Sequence, residues 1–556
     1  MIMQEISIEC RFRSLLESNE PPSHLDALAA SEILKDRLAQ MSQLERQLAK
    51  LQAEAQMCNT ILSGIRKLPP ELLADIFTHL VAPDQERYYR LSIYSSYPKA
   101  DPSQQASAIV LSHVCRKWRS VALSTPQLWS TISVPHRTPL ASSVYDGLVK
   151  MCINHSRVSP LYITLSVLSS SNAAFRCTSA KGPRYSAALE TLNKFMPEIT
   201  RWRYLHFDLL LRQLNSPPDQ ILPTLPPDGA PDLRKVYFRM HFEQLECPET
   251  RWMLELLRAS PNLRHITFSA PLSNLVAAPW VHLQHFYARG GIRLRDLFLV
   301  FGGCPVLEIC EASFELAEEG PSLPTFRDSD SAIVLAHLRV LEFTHLRHAE
   351  LTTVLQWLTL PSLRVFVLAG HVSDSWPDEL FRSFLTRSAC KLHTLSLSRL
   401  AHTDAELMDY LRFPNIQDTL EVLVLDKWTT PISSDLLDFL TFKFTESPAD
   451  SPVLPKLNDV TFAINALFQA VHLRKFFLSR WYERDRNQAP FPVAVLKRLA
   501  VNLLTPFLPN ASVSGERIRN LFTRVEDMVE IELETYVIQG GTDYPDIEKL
   551  SLFDVI

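Results

Sequence analysis

The segment that decides the fold is Pro231-Asp232-Leu233-Arg234-Lys235-Val236-Tyr237-Phe238. It returns 30 residues later as Pro261-Asn262-Leu263-Arg264-His265-Ile266-Thr267-Phe268. In both copies a leucine is followed by alternating apolar residues, which is typical of a strand with one buried face. Further copies begin at Leu283, Leu307, Leu338, Leu363, Leu392, Leu420 and Leu457.

A repeat of this kind resembles the leucine-rich repeat, whose units are 20 to 29 residues long. The copies here are separated by 20 to 37 residues, and helical patterns lie between them at 252–259, 349–358, 378–387 and 434–442. The Asn or Cys that usually follows the strand is mostly absent, since Ala369 and Ser398 occupy that place. Strand and helix in alternation predict a parallel sheet in a curved stack, with another α/β layering as the alternative.

Around this repeat the chain divides into five parts. We expect an irregular N-terminus at 1–23, a helix at 24–66, a small helical module at 67–134, an irregular α/β leucine-rich-repeat-like solenoid at 160–489, and a C-terminal cap at 490–556. The predicted class is therefore α+β multidomain. Solvent-facing strand residues of the solenoid are candidates for contact with a protein partner: Lys235, Tyr237, His265, Thr267, Thr394 and Ser396.

Residues 24–66 contain no Pro and one Gly, and strong helix formers dominate. Apolar residues recur there in alternating steps of three and four, at Met41, Leu44, Leu48, Leu51, Ala55, Cys58, Leu62 and Ile65. Leu34 and Leu38, earlier in the chain, fit the same spacing one heptad phase earlier, with a slip near Met41. This spacing indicates either an intermolecular coiled coil or an amphipathic helix that packs on the rest of the chain.

Two helical segments follow. The first, 68–80, begins with Leu68-Pro69-Pro70-Glu71, which is a helix-start signal, and continues with the apolar stripe Leu72, Leu73, Ile76, Phe77 and Leu80. The second, 108–123, is predicted to be one helix with these apolar residues on a single face: Leu111, Val114, Cys115, Trp118, Val121 and Ala122. The segment Pro126-Gln127-Leu128-Trp129 ends it, and 130–134 has the pattern of a short strand.

These segments resemble the F-box in the variant common among basidiomycete fungi. The first helix matches at Leu68, Pro69, Glu71, Leu72, Ile76, Phe77 and Leu80. The second helix and the exit match at Val114, Cys115, Trp118, Arg119, Leu123, Pro126, Leu128 and Trp129. One departure is an inserted loop at 82–107, which surface loops tolerate at little entropic cost but which could crowd a partner surface.

The resemblance implies a partner: the Skp-type adaptor of a cullin–RING ubiquitin ligase, and the cullin scaffold through it. A helical module of about 45 residues buries too little surface to be robust alone, so part of its apolar stripe is available to a partner groove. The residues expected to bind the adaptor are Leu68, Pro69, Glu71, Leu72, Ile76, Phe77, Val114, Cys115 and Trp118.

Composition argues against several other classes. The formal net charge of −5 disfavours a protein that finds nucleic acid by its overall field, and 13 glycines in 556 residues disfavour phosphate-binding loops. The nine cysteines contain no CxxC pair and suggest buried thiols in a reducing compartment. The N-terminus has no signal-peptide pattern, and no apolar run is long enough to span a membrane. We expect a cytoplasmic or nuclear protein.

Catalytic and metal motifs are missing from the sequence. The pairs His282/His285 and His345/His348 lack a second pair of ligands and are expected to flank repeat strands, while Cys304 and Cys310 are expected in the core. A basic stretch at 474–486 is interpreted as a solvated helix face. We therefore expect no enzyme and no cofactor. The chain is predicted to be the substrate-recognition subunit of an SCF-type ubiquitin ligase, and the alternative is a protein-interaction scaffold without adaptor binding.

Overall fold

A computed structural model describes residues 8–18, 21–81, 103–135, 142–167, 183–209, 222–240, 248–269, 280–314, 332–370, 376–400, 402–426, 432–442, 452–464, 466–480, 493–494, 496–505, 530–537 and 549–551. A long helix, a small helical module and an α/β region follow one another along the chain. Most of the inserted segment 82–107 lies outside the described residues, and so does 481–492 at the end of the basic stretch.

The N-terminal part is formed by helix α1 (Ile8–Glu17) and helix α2 (His24–Leu62). Ser23 caps α2, since its hydroxyl accepts a hydrogen bond from the amide of Asp26 at 3.2 Å. The predicted helix is confirmed over 39 residues, and a 3-10 turn at Gly64–Lys67 follows it. No residue of α2 is buried. Within the part of the chain that the structure describes, nothing covers this helix, so the alternative in which it packs on its own chain gains no support there.

Three short helices form the module that follows α2. They are α3 (Pro70–Val81), α4 (Ser103–Val114) and α5 (Arg116–Ser124), and they pack on one another in every pairing. A 3-10 turn at Pro126–Trp129 leads into strand β1 (Thr131–Pro135), as the sequence predicts. Helix α4 begins at Ser103, inside the segment expected to be a loop up to residue 107.

One 15-stranded sheet organises the rest of the described chain. Neighbouring strands follow chain order and pair in parallel from β1 to β16, and the last strand is antiparallel. Two further strands, β8 (Ile333–Val334) and β10 (Leu358–Thr359), form a separate pair. The remaining strands are β2 (Leu161–Val167), β3 (Trp202–Leu209), β4 (Lys235–Met240), β5 (His265–Phe268), β6 (His285–Ile292), β7 (Ile309–Phe314), β9 (Val340–Leu346), β11 (Val365–Gly370), β12 (Thr394–Ser398), β13 (Val422–Asp426), β14 (Asp459–Ile464), β15 (Arg498–Thr505), β16 (Glu530–Val537) and β17 (Lys549–Ser551).

Helices connect many of these strands, which is the usual way to join parallel neighbours. The four helices predicted between repeat copies are all present, at Pro248–Arg258, His348–Trp357, Asp378–Ser388 and Ser434–Leu440. The helices of this region are α6 (Ser142–Ser156), α7 (Pro183–Phe195), α8 (Pro248–Arg258), α9 (Leu294–Gly303), α10 (His348–Trp357), α11 (Asp378–Ser388), α12 (Asp404–Leu411), α13 (Pro414–Gln417), α14 (Ser434–Leu440) and α15 (Ala466–Arg480), with a 3-10 turn at Met196–Arg201.

The repeat leucines have one structural role. All nine, from Leu233 to Leu457, are completely buried and lie two residues before a strand. In most copies the leucine amide donates to the carbonyl three residues earlier, as in Leu263 to Ser260 at 3.4 Å and Leu363 to Leu360 at 3.2 Å. The motif therefore marks the turn at which each chain segment enters the sheet.

The helices cover one face of the sheet. Phe366 of β11 packs on Phe381 and Phe384 of α11, with ring centroids 6.2 and 5.4 Å apart, and Phe462 of β14 packs on Phe476 of α15 at 5.6 Å. We call the other side the open face; on strands β6, β7 and β9 its residues are half-buried in alternation with the core. Three candidates for solvent-facing residues are in fact buried: Tyr237, Thr267 and Ser396. Tyr237 packs on His206, and Thr267 is in register between two tyrosines.

The C-terminal boundary also differs from the expected cap at residue 490. Strand β15 pairs with β14, and β16 pairs with β15, both in parallel. The sheet therefore continues to Val537, and β15 is preceded by the same motif, because the buried Leu496 lies two residues before the strand. Strand β17 then pairs in the antiparallel direction with β16. Within the described residues, no helix is both long and apolar enough to cross a membrane.

Candidate adaptor-binding surface

The start of helix α3 is held by the backbone and by one lysine. Leu68 is extended and half-buried, and the carbonyl of Pro69 accepts a hydrogen bond from the amide of Leu73 at 3.1 Å. From helix α5, Lys117 Nζ donates to the carbonyls of Leu68 at 2.6 Å and Arg66 at 3.2 Å. The chain entry is thus fixed to the module, with the proline already suited to the first helical turn.

The core of the module is a row of buried side chains on helix α3. Leu73, Phe77 and Val81 recur every fourth residue, and none is more than 4% exposed. Phe77 packs on Trp118 of helix α5, with ring centroids 4.8 Å apart and an interplanar angle of 57°. Because residues four apart lie on one side of a helix, this row turns a single face of α3 inward.

The second helical segment is broken at Cys115, so the expectation of one continuous helix from 108 to 123 is wrong. Cys115 is extended (φ −160°, ψ 170°) and caps helix α5, where its sulfur accepts a hydrogen bond from the amide of Trp118 at 3.4 Å. Arg119 Nε donates across the break to the carbonyl of Ser112 at 2.9 Å. The sulfur replaces a hydroxyl or carboxylate as the cap, and the chain can then turn between two short helices.

The exit of the module joins it directly to the sheet. Trp129 is buried, and its indole N–H donates to the carbonyl of Ala122 at 2.8 Å. Strand β1 begins two residues later and pairs with β2, with Thr131 opposite Tyr162. The helical module and the α/β region therefore share one continuous core, which includes both Phe77 and Trp129.

Exposed apolar residues form two rows on the outside of the module. Leu72, Ile76 and Leu80 on α3 are 49%, 40% and 67% exposed and lie next to the buried row. Val110 and Val114 on α4 are 59% and 55% exposed. These five side chains, which we call the outer apolar rows, repeat every fourth residue and so project from one side of each helix. Exposed apolar side chains grouped in this way are typical of a partner-binding surface.

Comparison with family models matches residues 65–135 to the F-box-like domain. The chain contains an F-box-like domain. The match begins at the 3-10 turn after α2 and ends at the last residue of β1, so it covers the whole helical module. A search of curated proteins found no match to the chain.

The structure places the residues expected to bind an adaptor at different depths in the F-box-like domain. Pro69, Glu71, Leu72, Ile76, Val114 and Cys115 are exposed, while Leu68 and Trp118 are half-buried. Phe77 is fully buried, so it supports the surface from inside and offers no atom to a partner. Two outer residues, Leu80 and Val110, were absent from the expected set. Their spacing of four from Ile76 and Val114 is the signal that would have found them.

The open face of the sheet carries several buried or half-buried polar side chains. On β3 and β4, Asp208 Oδ1 lies 3.6 Å from Arg239 Nε, and both side chains are 5% exposed. Burial raises the pKa of Asp208 to about 6, although Arg239 opposes this shift. Burial lowers the pKa of His206 to about 3, and Arg239 lowers it further, so this imidazole is neutral at pH 7.

Two further groups lie along the same face. His265 and His285, on neighbouring strands, have ring centroids 4.1 Å apart. The pKa of His265 is lowered to about 3, mainly by burial and to a smaller extent by the nearby His285. Glu311 and Glu342 are opposite each other on β7 and β9, and Arg289 Nη2 lies 3.3 Å from Glu311 Oε2. Neutral imidazoles, tyrosines and partly buried charges provide both donors and acceptors, which suits recognition of a polar protein surface.

The two histidine pairs and the cysteines Cys304 and Cys310 lie in or beside the strands of the sheet. His282 and His348 lie next to strands β6 and β9, as expected, whereas His285 and His345 lie within those strands. Cys304 and Cys310 are completely buried, and burial raises the pKa of the Cys304 thiol to about 12. No three His, Cys, Asp or Glu side chains in the described ranges could together hold a metal ion.

Proposed function

We propose that this chain is a substrate-recognition subunit of an SCF-type ubiquitin ligase, of the basidiomycete F-box type. The F-box-like domain would bind a Skp-type adaptor, and the cullin scaffold through it. F-box domains typically bind such adaptors, and the match at 65–135 supports this part of the proposal. The protein would act inside the cell, in the cytoplasm or nucleus, and would not itself be an enzyme.

The observation that carries the proposal is the pair of outer apolar rows. Leu72 and Ile76 are 49% and 40% exposed beside a row that is fully buried. An adaptor groove that covers them would remove their hydrocarbon surface from water, as in other helix-in-groove complexes. Pro69 and Glu71, exposed at the start of α3, would lie at the edge of the same contact.

The α/β region would hold the protein target. We propose that it is an irregular leucine-rich-repeat-like solenoid, because nine buried leucines each precede a strand and neighbouring strands follow chain order. Its open face would provide the recognition surface, with the polar groups around Tyr287 and Glu311 among the contacts. Ubiquitin transfer would then be accelerated by proximity, since a tethered target has a high effective concentration.

Adaptor binding can be tested by calorimetric titration of the full chain with the Skp-type adaptor of its host. We compare the natural chain with the double variant Leu72→Glu and Ile76→Glu, since glutamate is a good helix former and both positions are exposed. Loss of central anchors worth about 2 kcal/mol or more should weaken binding at least about 30-fold. The matched control is Val281→Glu with Val334→Glu, two exposed apolar residues of the α/β region, and it should bind like the natural chain.

Two results would contradict the proposal. Adaptor that binds neither the natural chain nor any variant would favour an interaction scaffold without ligase function. Equal binding by all three chains would place the contact away from the outer apolar rows. The target itself can be sought by affinity purification under proteasome inhibition, in which the Leu72 and Ile76 variant should retain the target while losing adaptor and cullin.

A further inference from the structure

Helix α2 leaves a long apolar stripe uncovered. Leu44, Leu48 and Leu51 are 64%, 56% and 62% exposed, and no residue of the helix is buried against the described chain. The helix has 39 residues, which at about 1.5 Å per residue is close to 60 Å. A line of residues that are apolar except for one arginine runs along it in steps of three and four, and we call it the α2 seam: Ala30, Leu34, Arg37, Met41, Leu44, Leu48, Leu51, Ala55, Cys58 and Leu62.

The period of the α2 seam specifies the occupant. Steps that average 3.5 residues stay on one side of a helix only when two helices wind around each other. A globular groove does not require a period held over so many turns. A second helix with the same period and length meets the requirement, and the α2 of another copy of this chain is such a helix.

The arrangement of large, small and charged residues along the α2 seam decides the orientation. In a parallel pair each seam residue meets its own copy, so two Arg37 guanidinium groups would face each other and Ala30 would face Ala30. In an antiparallel pair centred between Leu44 and Leu48, Arg37 lies opposite Ala55. Alanine leaves room for the long side chain, and Glu54 beside it supplies the opposite charge.

The other layers of the antiparallel pair are also complementary. Leu44 meets Leu48 and Met41 meets Leu51 in the middle, where the apolar side chains are largest. Towards each end a large residue meets a smaller one, with Leu34 opposite Cys58 and Leu62 opposite Ala30. We infer that two copies of this chain associate through an antiparallel coiled coil of their α2 helices, independently of any adaptor.

This pairing has a consequence for the rest of the molecule. Each F-box-like domain begins directly after α2, so the two domains of a dimer would lie at opposite ends of the coiled coil. The two Cys58 thiols would be about 36 Å apart along its axis, since each lies opposite residue 34 of the partner. In a parallel pair the same thiols would face each other.

Association is tested by light scattering of the full chain during size-exclusion chromatography at micromolar concentration. The natural chain should have twice the 63.4 kDa of one copy. The variant Leu48→Lys with Leu51→Lys places charge in the seam, while lysine keeps the helix propensity, and should have the mass of one copy. The matched control, Gln43→Lys with Ala49→Lys, adds the same charge outside the seam and should remain a dimer. A natural chain of 63.4 kDa, or a seam variant that stays dimeric, would overturn the inference.

Orientation is tested with Leu34→Cys, because Cys58 is already present and exposed. Mild oxidation followed by peptide mass spectrometry should find a disulfide between the introduced thiol and Cys58 of the partner subunit. A disulfide requires α carbons within about 7 Å, so only the antiparallel layer allows this bridge. Bridges between two Cys58 residues, or none that involve residue 34 and Cys58, would overturn the antiparallel arrangement.

Discussion

The indole of Trp118 packs on the ring of Phe77 at a centroid separation of 4.8 Å, and this contact joins helices α3 and α5 of the F-box-like domain. Phe77 is fully buried, whereas its neighbour Ile76 is 40% exposed. One residue therefore separates the core of the domain from its outer surface. Substitutions at the two positions should have different effects, one on stability and the other on binding.

Phe77→Ala should destabilise the F-box-like domain by about 3 to 4 kcal/mol, because it removes a buried ring and leaves a cavity beside Trp118. Ile76→Ala should change stability by less than about 1 kcal/mol, since its side chain is partly in water already. Hydrogen exchange resolved by mass spectrometry checks both, through the protection of amides in α3 and α5. Equal loss of protection in the two variants would contradict the division into buried and outer rows.

Cys115 should be a replaceable helix cap. Serine at this position can accept the same hydrogen bond from the amide of Trp118, and hydroxyl oxygen is a better acceptor than thiol sulfur. We expect Cys115→Ser to stabilise helix α5 by about 0.5 kcal/mol or more, and Cys115→Ala to destabilise it by about 1 kcal/mol. Exchange of the Trp118 and Arg119 amides measures the difference. A serine variant less protected than the alanine variant would show that the cap is not the role of this residue.

Much of the architecture could be predicted because it depends on local patterns. The nine repeat leucines, the helices between them and the start of α3 follow from periodicity and from residues with strong local preferences, such as proline. The break at Cys115 was missed because cysteine is not a usual cap, and the apolar residues on its two sides fit one helix. The continuation of the sheet to β16 was missed because Leu496, two residues before β15, follows Leu457 by 39 residues, a longer step than any earlier one, and Met528 replaces the leucine before β16.

The burial of residues on the open face was harder to predict from the sequence. Tyr237, Thr267 and Ser396 alternate with core residues and were therefore expected to face solvent, yet all three are buried. The sequence gives the alternation within a strand but not which side chains meet across strands, since this depends on register. The F-box-like domain shows the same limit, because Ile76 and Phe77 differ in burial although both are apolar.

Arg480 is a further example, and it leads to another testable expectation. It belongs to the basic stretch that was interpreted as a solvated face, yet it is 1% exposed, and burial lowers its pKa to about 10. Its guanidinium donates to the carbonyls of Leu440, Val453 and Leu454, the last at 2.9 Å. The side chain thus links the end of α14 to Val453 and Leu454, ahead of β14, by satisfying their backbone acceptors.

Arg480→Met should destabilise this part of the chain by about 3 kcal/mol or more, because three buried carbonyls lose their donor. The matched control is Arg474→Met on the same helix, which is exposed and should change stability by less than about 0.5 kcal/mol. Urea unfolding followed by exchange of α14 and β14 amides measures both. If the two variants were equally stable, the buried hydrogen bonds would contribute nothing net.

The last expectation concerns Glu311 on the open face. Its pKa is raised to about 7 by burial first and by Glu342 second, although Arg289 opposes both. An unfolded chain releases this proton near the ordinary value of 4.5, so the folded state holds the proton more tightly between pH 4.5 and 7. The contribution of Glu311 to the free energy of unfolding therefore falls as pH rises through this window and is constant above it.

Glu311→Gln resembles the protonated acid and cannot ionise, so the variant and the natural chain should be about equally stable at pH 4, below both pKa values. At pH 8 the variant should be more stable by about 2 to 3 kcal/mol, which corresponds to the shift in pKa. Unfolding by urea at both pH values gives the difference, and subtracting the natural chain removes the contribution of every other titrating group. Glu379→Gln on the exposed side of α11 serves as the control and should follow the natural chain. A stability difference between Glu311→Gln and the natural chain that does not change with pH would mean that Glu311 is already ionised in the folded state, held by Arg289 alone.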